Sequence, residues 1–181
     1  MALGKIGAVA AGLGILAAIG LIIKKGTMGV TDIYRGASVQ TANFIALLEN
    51  FYPKAYWDFK QWSVGYGSGY NYDLKTPVTK NTVVDKATAK RWLLAEAYRN
   101  AETINNYVKV PLTTNQFVAL LAFVYNVGDE AFKTSTLLKK INSKAPKQDI
   151  KNAWSAWKMA GGQVNQGLIN RRAKEINMFF S

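Results

Sequence analysis

The chain has 181 residues, with 23 Lys and Arg against 11 Asp and Glu, and neither His nor Cys. The length suits one domain with an accessory segment, and 49% hydrophobic residues suffice for a packed core, which excludes a disordered chain. Without Cys and His there is no disulfide framework, thiol nucleophile, Ser-His-Asp triad or ordinary catalytic zinc site, so any acid–base chemistry falls on carboxylates, with Lys and Tyr in reserve. The net charge of +12 favours polyanions such as nucleic acid, anionic lipid or bacterial envelope polymers, and does not choose among them.

The first predicted element is a hydrophobic helix. Ile6 to Ile23 is an uncharged run of 18 residues bracketed by Lys5 and by Lys24-Lys25. At helical rise it spans roughly 27 Å, just enough to cross a bilayer core. Nine of its residues are Gly or Ala, so the span is weak. A buried soluble helix leaves the Lys brackets unexplained, and a cleaved signal peptide should end in a polar, small-residue region, where this run ends in Leu-Ile-Ile and then lysines. Residues 1–25 are therefore expected to be a retained membrane segment, contacting the bilayer through residues 4–25. The N-terminus and Lys5 roughly balance Lys24 and Lys25, so the charges set no orientation. Residues 26–37, with Gly26, Gly29 and Gly36, read as a linker to a domain at 38–181.

In that domain Ser38 can cap a short helix carrying Val39, Ala42, Ile45, Ala46 and Leu48, which stops near Glu49-Asn50. Residues 55–72 are rich in aromatics and Gly and suit a small antiparallel sheet or hairpins. After Pro77 the pattern is helical. Asp85 can start a long helix with Ala89, Trp92, Leu93 and Ala97 on one face. Thr113 or Thr114 can cap the apolar QFVALLAFVYNV, with Gly128 as its stop. Thr134 can start a helix through Leu137, Leu138 and Ile141. Pro146 suits the first turn of a helix through Ile150, Ala153, Trp154 and Trp157. Gly161-Gly162 breaks the chain, and a last helix covers roughly residues 167–180. The fold class is α+β: mainly helical, with a small antiparallel β region.

The candidate chemistry lies between Glu49 and Gly67. Glu49 ends a helix, where the dipole disfavours an anion, and aromatic residues follow it. Both effects favour a protonated carboxyl able to act as a general acid. Asp58 follows nine positions later, then Ser63. Glycosidases divide labour in this way: one acid protonates the leaving oxygen, a second carboxylate activates water, and a hydroxyl can help hold that water. The same residues also read as a solvated helix end and a turn.

The segment ENFYPKAYWDFKQWSVGYGS resembles the catalytic segment of phage-type lysozymes, glycoside hydrolase family 24, whose usual motif is Glu-x8-Asp-x5-Thr leading into a Gly-Tyr-Gly strand. FVYNVGDEAFKTSTLLKKIN is similar to that family's core and cleft helices, and WKMAGGQVNQGLINRRAKE to its C-terminal Gly-Leu-x-x-Arg-Arg-x-x-Glu signature. Three motifs in order, over about residues 39–180, carry the resemblance. It implies a lysozyme-like fold with Glu49 as general acid, Asp58 as second carboxylate and Ser63 in place of the Thr that positions water. It also implies Arg172, or its neighbour Arg171, as the partner of the catalytic Glu, and Asn126 and Ser135 in segments that contact sugar. Asn126 equally reads as a helix cap, Tyr66 as packing, and Trp154 and Trp157 as core. Two departures stand out: Asp58 to Ser63 is one residue short, with Ser for Thr, and Ser68 stands where His is common.

The resemblance further implies a muramidase that hydrolyses the β-1,4 bond between N-acetylmuramic acid and N-acetylglucosamine of bacterial peptidoglycan, with inversion. It implies no metal or organic cofactor, a monomeric catalytic domain and no nucleic-acid partner. Some relatives carry a Gly/Ala-rich signal-arrest-release segment that tethers the enzyme to the host inner membrane, facing the periplasm, until lysis. A lysozyme anchored in a virion membrane for genome delivery, a non-catalytic peptidoglycan-binding module and a membrane-permeabilising protein are the competing readings.

Overall fold

The structure is a computed structural model that describes residues 39–58 and 61–181. The expected membrane segment and linker, and the Ser38 cap, lie outside the described residues. Helix α1 (Val39–Leu48) buries Thr41, Ala42 and Ile45 and ends at Glu49, whose N–H still donates to Ile45 O at 3.0 Å. A hairpin follows, β1 (Tyr52–Asp58) against β2 (Gln61–Gly65), antiparallel with Tyr56 opposite Ser63 and Trp57 opposite Trp62. An irregularity between Tyr52 and Tyr56 shifts the register, as a bulge does. The outer edge of β1 is tied to residues 82–84 through Ala55 N to Thr82 O and Val84 N to Pro53 O. A second, minimal pair is β3 (Tyr70–Asn71) with β4 (Thr76–Pro77).

The helical part opens where Asp85 caps α2 (Lys86–Tyr107) by accepting from Thr88 N. The expected face, Ala89, Trp92, Leu93 and Ala97, is buried. Thr113 and Gln116 form a reciprocal capping box on α3 (Thr114–Val127), which ends at Gly128. Every residue of α3 from Phe117 to Val124 is buried, and α1, α2 and α7 (Gln166–Phe179) pack around it. A helix that is apolar all round must lie at the centre of its domain.

Four local features differ from expectation between α3 and α7. Residues Asp129–Lys133 form an extra short helix, α4, which buries Phe132. Thr134 closes that helix, and Ser135 is the cap of α5 (Thr136–Asn142), accepting from Leu138 N at 3.0 Å. Both residues are N-cap types, and the turn after α4 decides between them. Pro146 is the cap of α6 (Lys147–Ser155), one position before its first turn. Gly161-Gly162 does not simply break the chain. With φ of 56° and 79° they turn a hairpin between β5 (Met159–Ala160) and β6 (Gln163–Val164), because a tight two-residue turn needs left-handed backbone at both positions.

Candidate active site

The end of α1 presents Glu49 with its side chain 23% exposed. Arg171 of α7 reaches it, with Nη1 donating to Glu49 Oε1 at 2.6 Å. The guanidinium is itself held on two further sides: Nε donates to Glu175 Oε1 at 2.9 Å, and Nη2 donates to Ala122 O at 3.0 Å. Arg172, the residue first expected to face the acid, is turned away. Its Nη1 donates to Glu175 Oε2 at 2.5 Å, its Nε to Trp157 O, and its Nη2 to Asn126 Oδ1. Successive helical residues point about 100° apart, so only one of the two arginines can face α1. The Arg172 guanidinium also lies 4.8 Å from the centre of the Phe123 ring. Burial pulls Arg172 below its ordinary proton affinity, and the Glu175 charge works against that.

Glu175 is the residue that the sequence reading missed. It is fully buried and holds both arginines as well as the Trp154 indole N–H, at 2.9 Å. Its signal was present in the spacing, since Arg171 and Arg172 precede it by four and three positions and so share its helix face.

The β1–β2 hairpin carries the second group. Asp58 is exposed at the end of β1. Tyr56 stands near both carboxylates: burial raises its phenol above the ordinary value, and the charges of Asp58 and then Glu49 add to the effect. Ser63, the cross-strand partner of Tyr56, is fully buried, and its hydroxyl has no hydrogen-bond partner among the described residues. It therefore does not present an open hydroxyl to solvent. Ser135 is buried, and its side-chain oxygen accepts from Leu138 N–H as the cap of α5. Asn126 does not cap α3. It anchors Arg172 and, with Val127, Trp157, Met159 and Leu168, lines a cavity of about 460 Å³ beside that arginine. Trp154 is core, whereas Trp157 lines the cavity, its indole perpendicular to the Phe123 ring. Tyr66 is packing, 5.4 Å from the Phe51 ring.

A mainly helical core, small antiparallel hairpins, an arginine-held carboxyl at the end of the first described helix and a second carboxylate on the adjoining hairpin describe a lysozyme-like α+β domain. The chain belongs to the phage lysozyme family, whose model matches residues 46–175. It is 35% identical over 147 residues to the endolysin of Bacillus phage PZA, covering 77% of this chain and 53% of that protein. It is 42% identical over 93 residues to the SAR-endolysin of Bacteriophage PS119, covering 50% of this chain and 53% of that one. Its fold is similar to the muramidase domain of SpmX from Asticaccaulis excentricus, with a TM-score of 0.71 and 29% identity over 80% of this chain and 97% of that one. The chain spans about half the length of the curated relatives it matches first.

Proposed function

We propose that the protein is a peptidoglycan-hydrolysing muramidase of the phage endolysin type, cutting the β-1,4 bond between N-acetylmuramic acid and N-acetylglucosamine. The observation that carries this reading is the pair of carboxyl groups on adjoining elements, Glu49 beside Arg171 and Asp58 on the hairpin, with Tyr56 near both. Glu49 protonates the leaving glycosidic oxygen, and Asp58 takes a proton from water on the opposite face of the sugar, giving inversion. Arg171 positions Glu49. The cavity between Trp157, Met159 and Leu168 offers an apolar wall with Asn126 and Arg172 as polar contacts, the composition of a ligand groove.

The lysis role rests on the endolysin names of the relatives. Tethering by residues 4–25 and later release to the periplasm rest on the weak apolar run and on the SAR-endolysin relatives. Among the described residues no helix is long and apolar enough to cross a membrane. A stable virion-membrane anchor for genome delivery is the competing use of the same segment.

The test is turbidity loss of purified peptidoglycan with the full chain and with Glu49→Gln, followed by mass spectrometry of the fragments. Reducing-end muramic acid from the wild type alone is expected, with at least about a hundredfold loss in the variant, the low end of a general acid's contribution. Anhydro-muramic ends would overturn the role of Asp58. Binding without cleavage by either protein would make the chain a peptidoglycan-binding module.

A further inference from the structure

Gly69, just before β3, is a glycine that its backbone angle does not demand. Gly65 and Gly67 have left-handed φ, and Gly69 does not. What it provides is space. A Cβ at Gly69 would stand 2.6 Å from Gln61 Cδ and 2.8 Å from Gln61 Oε1, with Nε2 closer still. Distances this similar place the amide face-on over Gly69, because an edge-on approach would separate its nitrogen from its oxygen by much more. The floor beneath the amide is fixed. Val64 and Ser68 exchange backbone hydrogen bonds at 2.9 and 3.0 Å just before Gly69, and Val78 N donates to Gly69 O at 2.9 Å.

The held amide lies beside the candidate chemistry. Gln61 opens β2 as the register partner of Asp58, the last residue of β1. Cross-strand partners project from the same face with Cβ atoms about 5 Å apart. Tyr56 and Ser63 form the pair two positions back on that face, and Trp57 and Trp62 lie on the opposite one. Gln61 is exposed, so the polar edge of its amide is open to a ligand.

We propose that Gln61 is a specificity-determining residue that reads the 2-acetamido group of the N-acetylmuramoyl unit at whose C1 the bond is cut. The idea rests on the reading of Asp58 as the carboxylate that directs water to C1. C2 adjoins C1, so its substituent falls within reach of a side chain one cross-strand step from Asp58. A carboxamide complements an acetamido group in both directions: Gln61 Oε1 accepts from the acetamido N–H, and Gln61 Nε2 donates to its C=O. After loss of the acetyl group an ammonium remains, which can donate to Oε1 but offers Nε2 no acceptor. Gly69 contributes by holding the amide in place before the sugar arrives, so less side-chain freedom is lost on binding.

The experiment compares soluble peptidoglycan oligosaccharides whose muramoyl units are N-acetylated or de-N-acetylated. Full-length wild type, Gln61→Ala, Gly69→Ala and the double variant are each assayed for kcat/KM on both. The preference for the acetylated substrate should fall about tenfold in Gln61→Ala, the loss of two exposed hydrogen bonds. Gly69→Ala, which evicts the amide, should fall by a similar factor, and the double variant no further, since both changes remove one contact. An unchanged preference in Gln61→Ala overturns the proposal. Losses that multiply in the double variant overturn the holding role of Gly69. If Gly69→Ala does not fold, Gln61→Ala decides alone, since truncating an exposed side chain leaves the core intact. The same ratio is then measured as dissociation constants by calorimetry in the Glu49→Gln background. No cleavage by the wild type, or cleavage by Glu49→Gln, overturns the muramidase roles, and the binding ratio judges Gln61 independently of that result.

Discussion

At the scale of single residues, four carboxyl groups (Glu49, Asp58, Glu96 and Glu175) differ by what surrounds them. Glu175 has two guanidinium groups and an indole N–H, so it is buried yet fully partnered. Removing one member of such a group leaves charges in the interior without compensation. Glu175→Gln is expected to lower stability by about 3–5 kcal/mol in urea unfolding, with Arg171 released from its seat under Glu49. Glu96 makes a different prediction, for stability against pH. Its carboxyl is raised from 4.5 to about 7 on folding, so the folded state binds the extra proton. The stability contributed by the neutral form is complete below about pH 4.5 and is lost as pH rises through about 7, a span worth roughly 3 kcal/mol. Urea unfolding at pH 5 and pH 8 should show that loss in the wild type and a much smaller one in Glu96→Gln. Of these groups, Glu49 and Asp58 stood out in the sequence as the proposed pair because their spacing carries a motif. Glu96 was not, because a lone Glu on an amphipathic helix has no local mark that separates burial from exposure.

At the scale of elements, the helices follow from short-range rules. Asp85, Thr113 and Asn165 each accept from a backbone N–H of the first turn that follows, and the apolar faces lie at helical spacing. Thr113→Ala should cost about 1 kcal/mol by loss of the capping box, measurable as a lower urea midpoint with unchanged slope. The hairpins obey tighter steric limits. Gly65 ends β2 with φ of +68°, and a Cβ there would stand 2.8 Å from the Ala89 Cβ of α2. Gly65→Ala should therefore cost about 2–4 kcal/mol, combining left-handed strain with a clash, and Ala89→Gly should restore only the clash part. The two-residue strand pairs β3–β4 and β5–β6 were not legible as such, since two residues cannot show an alternating pattern. Helix α4 was hidden for a related reason: five residues are too few to display a helical period.

At the scale of the whole molecule, charge and burial separate. Outside the first 30 residues the chain carries 20 bases against 11 acids, and the most buried of the helices, α3, carries no charged residue. The positive surface is a long-range attraction for an anionic wall, and salt screens it. Turnover of intact, anionic peptidoglycan should fall several-fold between about 0.05 and 0.3 M salt, while kcat/KM on short neutral oligosaccharides stays nearly constant.

The sequence by itself determined the helix faces, the Asp85 and Thr113 caps and the mainly helical class with small antiparallel sheets, because these depend on neighbours within a few residues. Only the tertiary structure decided which arginine faces Glu49, a contact spanning 122 positions whose outcome depends on how α7 is rotated against α1. It likewise decided that Ser63 is sealed, that Ser135 caps α5, that Asn126 serves Arg172, and that Glu96 is buried with one carboxyl oxygen left bare. Hydrogen-bond direction and desolvation are set by the groups that packing brings together, and sequence spacing does not record them.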